Sequence, residues 1–347
     1  MTAPSELDRA RGALYGLAIG DALGMPTQLL SPDEVDHRFG SITWFQPAPD
    51  DHLIAAGLPA GHITDDTEQA LLIARLLIDS HGRIDPLTLA KALADWERDM
   101  MRRGSLDLLG PSTQRAISAV AAGTSVEEAG RFGDTNGAAM RVTPVGIARP
   151  ADDSAGLLQA VVDASGVTHN TTLALAGASA VAAAVSAGVE GAGLDEAIQA
   201  GLAAARVGRN YGSWVAGADV AARIEAAFAG MHGLAEDKVI QFIRNVVGTS
   251  VATQESVPAA FAVLRAVGEE GAWNACLLAA SLGGDSDTIA AIAGAIAGAC
   301  QGIGAFPKDA LDVVRTVNNL ELEPVCDQLL RLRWEFRRGA AARGGTG

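Results

Sequence analysis

With 347 residues, 49% of them apolar, only 4% aromatic and 40 of them glycine, the chain can bury a large core, and its small side chains favour helices packed backbone to backbone. Its net charge of −15 argues against nucleic acid as a partner, because phosphate recognition needs a basic surface. Cys276, Cys300 and Cys326 lack the spacing of a zinc site or a disulfide framework, which fits a reducing, cytoplasmic setting.

The N-terminal stretch "MTAPSELDRARGALYG" carries charges where a signal peptide would need an apolar run. Helical periodicity then predicts helices over residues 6–23, 66–80, 86–99 and 113–122. Between the first two, "GSITWF" (Gly40 to Phe45) is the best strand-like run of a poor set. Asp65 with Glu68 three residues on resembles a capping box, and Pro86 after Asp85 suits a first helical turn. The pattern continues over 155–164, 172–187, 193–205, 215–228, 236–246 and 257–268, then over 271–281, 288–301, 308–318 and 324–336. The apolar run Thr288 to Cys300 follows two aspartates and is shorter than the roughly 18 residues of a membrane span. A buried helix and no membrane partner are expected. No linker or repeat divides the chain, so the reading is all-α, one domain over residues 1–336, with 337–347 a disordered tail.

Two stretches raise the question of chemistry. "GHITDDTEQALLIARLLIDS" (Gly61 to Ser80) sets Asp65 and Asp66 between Thr64 and Thr67, directly before an apolar helix. Far downstream, "GGDSDTIAAIAGAIAGA" puts Asp285, Asp287 and Thr288 on a Gly-Gly turn that opens another helix, with Gly294 and Gly298 on one face. Taken singly, each pair reads as a solvated helix cap, since Asp is a preferred N-cap residue. Brought together, four carboxylates would repel, and two divalent cations would neutralise them. The donors are hard oxygens, which points to Mg²⁺, Mn²⁺ or Ca²⁺ rather than zinc or copper. Periodicity alone does not bring residues 65 and 285 together.

In chain order, "GALYGLAIGDALGMP", "GHITDDTEQALLIA", "GDTNGAAMRVTPVG", "VTHNTTLALAGASAVAAAVSAGV" and "GGDSDTIAAIAGAIAGA" resemble the ADP-ribosylglycohydrolase family, from about Arg11 to Gly302. The resemblance implies an all-α orthogonal bundle with a dinuclear metal site at helix N-termini. It implies that Thr64, Asp65, Asp66, Asp285, Asp287 and Thr288 ligate two Mg²⁺ or Mn²⁺ ions, and that a glycosidic bond at a ribose anomeric carbon is hydrolysed. Asp285 or Asp66 is the candidate to take the water's proton. The loop "GDTNGAAMR" resembles a family loop bordering diphosphate and ribose, so Gly133, Asn136 and Gly137 would present N–H groups to the ligand; a plain tight turn is the competing reading. His169 would position the ligand, or serve only as a structural hydrogen-bonding residue. Tyr211 and Trp214 could stack on a base, although core packing is the safer reading. Asp21 is read as structural, since a buried Asp must find partners.

The pattern breaks on the substrate side. "GMPTQ" places Gln28 where many relatives carry a glutamate, with Glu34 a conceivable substitute, and the loop carries an Asp134–Thr135 pair. The favoured expectation is a metal-dependent hydrolase releasing ADP-ribose from a modified protein side chain or other acceptor. The alternative is a hydrolase of nucleosides or ribosylated metabolites, and the third is a non-catalytic ADP-ribose-binding or structural protein.

Overall fold

The computed structural model describes residues 3–268 and 271–344. Its centre is a pair of helices in contact through their backbones. The first, Glu6–Gly24, starts at a capping box in which Ser5 Oγ accepts the Asp8 N–H at 3.1 Å and the Asp8 carboxylate accepts the Ser5 N–H at 3.1 Å. Gly12, Gly16, Gly20 and Gly24 recur every four residues and so line one face. That face meets the antiparallel helix Ser286–Gln301 so closely that a Cβ at Gly16 would lie 2.1 Å from the Gly294 carbonyl oxygen. A Cβ at Gly20 would lie 2.1 Å from that of Ala290. Glycine costs about 1 kcal/mol inside a helix, and here it allows this approach.

The helix Thr172–Val189 lies against the same partner, with Gly188 set at the backbone of Ala299 and Cys300. It is long and apolar enough to cross a membrane, and 89% of it is buried inside the fold. Longer than the 288–300 run singled out from the sequence, it reads here as a core helix. One continuous apolar cluster runs through all three helices, and a small satellite of Met25, Ala48 and Ala55 sits beneath the 46–60 loop.

The predicted helices are present, with shifted ends. Asp85 caps Pro86–Arg102 by accepting the Thr88 N–H at 2.8 Å. Ser154–His169 runs past the predicted end, whereas the 236–246 segment divides into Glu236–Phe242 and a π-helical turn, Ile243–Val247. Thr253–Val267 starts earlier than expected and contains Pro258. Proline cannot donate to the carbonyl four residues back, and Arg223 Nε donates to that Gln254 oxygen instead, at 3.1 Å. Short helices at Pro32–Arg38, Val126–Ala129, Gly137–Met140 and Thr143–Ala148 escaped the periodicity, being too brief to show one.

Two expectations are corrected. "GSITWF" forms no strand; among the described residues there are only isolated bridges, Thr135 with Ala252 and Thr171 with Ser213. The last helix, Glu323–Gly344, continues through most of the supposed tail, and 345–347 lie outside the described residues. Its hold is ionic. Buried Arg333 donates to the carbonyls of Gly146, Ile147 and Arg149, and Arg337 pairs with Glu6 at 2.8 Å and Glu190 at 2.9 Å.

Candidate active site

The glycine-faced helix pair delivers the second acidic motif to the first. Asp21, on the glycine helix, is fully buried, and its carboxylate accepts the Thr64 N–H at 2.9 Å, the Thr64 hydroxyl at 2.7 Å and the Thr67 N–H at 3.1 Å. It thus caps the helix Asp65–Asp79 from outside. The local capping box suggested by Asp65 and Glu68 does not form, because Glu68 turns away to accept from Trp96 Nε1 at 2.7 Å and from Arg103 at 2.9 Å. Asn318 steadies the approach to the motif, donating to Gly61 O at 2.8 Å and accepting the Ile63 N–H at 3.1 Å.

On the opposite side Gly283 and Gly284 both adopt left-handed φ, +76° and +65°, which side-chain-bearing residues rarely tolerate. Their turn is clamped by Leu29 N–H to Gly284 O at 2.6 Å and by Gly284 N–H to Leu30 O at 2.9 Å. Asp285 and Asp287 therefore open the helix Ser286–Gln301 beside the first motif. Thr288 Oγ1 donates to Asp66 Oδ2 at 3.1 Å, across 222 residues of sequence.

These groups surround a cavity of about 140 Å³. Asp65, Asp285, Asp287 and Thr288 line it, joined by Gln28, Asn136 and Gly137 from the candidate substrate residues. Thr64 and Asp66 are buried and are not among its lining residues. Asp107, Thr113 and Thr135 also line it, and the sequence reading did not assign them. Asp107 is a lone acid in a loop and gave no periodic signal; only its place beside Asp65, whose N–H it accepts at 3.3 Å, singles it out.

Burial and mutual repulsion dominate the electrostatics. Burial first, then Asp107 and Asp287, pushes the Asp65 carboxyl well above the usual range; burial and Asp287 do the same to Asp66, and burial and Asp285 to Asp287. Burial raises Asp285 and Asp21 to about 6 and Asp107 to about 7. Each acid leans on the nearest donor: Asp65 on Gln69 Nε2 at 2.9 Å, Asp66 on Thr288, and Asp285 on Asn136 Nδ2 at 2.5 Å. Among the described residues, no three carboxylate, imidazole or thiol groups are drawn together as a ready cage for an ion. Divalent cations nevertheless suit the donor set. Asp66 Oδ1 and Asp287 Oδ1 are buried without a partner, and unpaired buried carboxylate oxygens are expensive unless a cation or proton meets them.

Several substrate-side expectations change. Gly133 does not offer its N–H to a ligand: it donates to Gly130 O at 3.0 Å, and a Cβ there would strike Thr168 O at 2.1 Å. The Asn136 N–H donates to Val251 O at 2.9 Å, so Asn136 faces the site through its side chain. His169 is fully buried, with Nε2 3.0 Å from Thr135 Oγ1 and Nδ1 2.8 Å from Thr168 Oγ1, and it lies behind Gly137 rather than in the cavity. Burial and the neighbouring Arg141 and Arg115 charges hold its pKa well down. Glu34 is exposed and occupied in a capping box with Ser31. Trp214 is 79% exposed and Tyr211 partly so, away from this cavity, so neither packs in the core. Gln28 is only 4% exposed, its Nε2 has no protein partner, and His52 Nε2 lies 2.8 Å from its backbone oxygen.

The sequence matches the model of the ADP-ribosylglycohydrolase family over residues 2–337. It is 35% identical over 330 residues to the Escherichia coli (strain K12) protein YegU, covering 94% of this chain and 97% of that one. It is 30% identical to the ADP-ribosylarginine hydrolase Tri1 of Pseudomonas putida (strain GB-1), covering 90% of this chain and 76% of that one. A solved structure titled as an ADP-ribosylglycohydrolase-related protein complex superposes with a TM-score of 0.66 at 24% identity, over 94% of this chain and 99% of that one. That structure shares the all-α fold found here. The family match along nearly the whole chain, together with the paired acidic helix starts, makes this protein a member of the ADP-ribosylglycohydrolase family and a glycosidase-type hydrolase.

Proposed function

We propose that this protein cleaves the glycosidic bond at the anomeric carbon of an ADP-ribosyl group, releasing ADP-ribose from a modified protein side chain or another acceptor. The observation that carries the reading is the meeting of two acidic helix starts, 222 residues apart, on one cavity. The relative from Pseudomonas putida is named an ADP-ribosylarginine hydrolase, and one from Rhodospirillum rubrum, 26% identical over 96% of this chain and 99% of that one, an ADP-ribosyl-[dinitrogen reductase] glycohydrolase.

In this reading Thr64, Asp65 and Asp66 would hold two divalent cations, Mg²⁺ or Mn²⁺, together with Asp285, Asp287 and Thr288. When bound, such ions neutralise the acids and supply Lewis acidity near neutral pH. The chain's own groups do the rest. Asp285 lines the cavity and, with Asn136 on its Oδ2, keeps Oδ1 to take up a proton from the attacking water; Asp66, not among the lining residues, is the weaker candidate. Asp107, which burial raises to about 7, lines the same cavity and is the group placed to give a proton to the leaving acceptor. Gln28 Nε2 would donate to a ribose hydroxyl, while Leu29, Ile54, Leu108 and Val251 form an apolar wall that limits water.

A second reading, hydrolysis of a nucleoside or ribosylated metabolite, draws on one observation. Among the described residues, the cavity lining has no Lys, Arg or His to meet a diphosphate. The purified chain with Mn²⁺ should release ADP-ribose from ADP-ribosyl-arginine or ADP-ribosyl-serine peptides. Release of bases from nucleosides, with both peptides untouched, would replace the first reading by the second.

A further inference from the structure

Arg141 is a buried guanidinium with no carboxylate of the described residues in ion-pairing range, and its Nε has no partner. It reaches in two directions. Nη1 donates to Gln69 Oε1 at 2.9 Å, and Gln69 Nε2 donates in turn to Asp65 Oδ2 at 2.9 Å. Nη2 donates to Thr168 Oγ1 at 2.6 Å, and Thr168 Oγ1 donates to Ser165 O at 3.2 Å. With the single Thr168 proton on Ser165 O, the 2.8 Å contact with His169 Nδ1 is made by a ring N–H. His169 Nε2, left as an acceptor, then takes the hydroxyl proton of Thr135 at 3.0 Å. Thr135 lines the cavity.

We infer that Arg141 is a positioning residue that sets the polarity of a buried relay, Asp65–Gln69–Arg141–Thr168–His169–Thr135, so that both ends present acceptors to the cavity. The chemistry of the relay explains its indirectness. A guanidinium set directly on Asp65 would engage both carboxylate oxygens in a bidentate pair and remove them from a cation. With Gln69 interposed, one oxygen is held and Oδ1 stays available. At the other end Thr135 Oγ1 offers only lone pairs to the cavity, which suits a ligand hydroxyl such as those of ribose. Gly137 is part of the device, because a Cβ there would sit 2.8 Å from His169 Cε1. The cation end of this inference rests on the metal reading above; the His169 end does not.

The test separates the two branches in the full-length protein. Nitrogen-15 NMR should show His169 as the neutral Nδ1–H tautomer, shifting to Nε2–H in Thr168→Val; an Nε2–H tautomer in the unmodified protein overturns the relay. By calorimetry, Gln69→Leu should weaken Mn²⁺ binding about tenfold, with ADP-ribose binding at saturating Mn²⁺ within about twofold, as loss of one charge-assisted hydrogen bond predicts. Thr168→Val should do the reverse, and Arg141→Lys, which keeps the charge but not the fork, should show both defects. Unchanged binding in all three variants overturns the proposal, as does a fall in melting temperature without this split. Should Arg141→Lys fail to fold, the two single-branch variants decide. A protein that takes up no Mn²⁺ at all would sink the metal reading, while the His169 tautomer would still judge the relay.

Discussion

At the scale of single residues, the site holds more negative charge than its surroundings offset. Asp21, Asp65, Asp66, Asp107, Asp285 and Asp287 cluster together, and buried Arg141, whose own pKa burial lowers to about 10, reaches them only at Asp65 and only through Gln69. This imbalance predicts a trade between stability and function. Asp66→Asn removes a buried acid whose Oδ1 has no partner, so in chelator it should raise stability by about 1 kcal/mol while abolishing turnover of ADP-ribosyl peptides. Thermal melts in EDTA, run beside the peptide assay, check both halves; a destabilised variant that keeps full activity would contradict the assignment. Asp107→Asn should lower kcat about a hundredfold and leave Mn²⁺ binding intact, if Asp107 supplies a proton.

At the scale of elements, the decisive contact is the backbone seam between Glu6–Gly24 and Ser286–Gln301. Gly20→Ala would improve helix propensity, yet its Cβ would meet the Ala290 carbonyl oxygen at 2.1 Å and Ala291 N at 2.7 Å, all backbone atoms. Since the seam cannot yield at one point, the substitution should destabilise the protein by about 2 kcal/mol or more and separate the acidic motifs. Chemical denaturation with a parallel Mn²⁺ titration measures both effects. Gly304→Ala, where an added Cβ meets nothing, is the matching control and should leave both unchanged.

At the scale of the whole molecule, stability should depend on pH in an unusual direction. The clustered acids have folded-state pKa values raised above their unfolded ones, to about 6 for Asp21 and Asp285 and about 7 for Asp107. The folded protein then binds more protons than the unfolded chain above about pH 4, so its stability falls as pH rises toward 7. In chelator the melting temperature should be higher at pH 5.5 than at pH 8. Mn²⁺ should raise it most at pH 8, because ions that bind only the folded state stabilise it by mass action. A melting temperature that climbs from pH 5.5 to 8 in chelator would show that the acids are not gathered as described.

What could be read in the sequence was what is written within a few neighbouring residues: helix periodicity, the Asp85 cap, the Gly-Gly turn, and two acidic helix starts rich in hard oxygen donors. Gln69 was within reach too, four residues from Asp65 and so on the same helix face. The rest was decided by packing between distant segments. Which N–H groups were already occupied, that Asp21 rather than Glu68 caps the Asp65 helix, that His169 sits behind Gly137, and that Asp107 reaches the cavity all depend on where other helices pass. Caps and periodicity act through local backbone hydrogen bonds and leave a local imprint; burial and charge clustering arise only when the chain folds, and no short stretch of sequence records them.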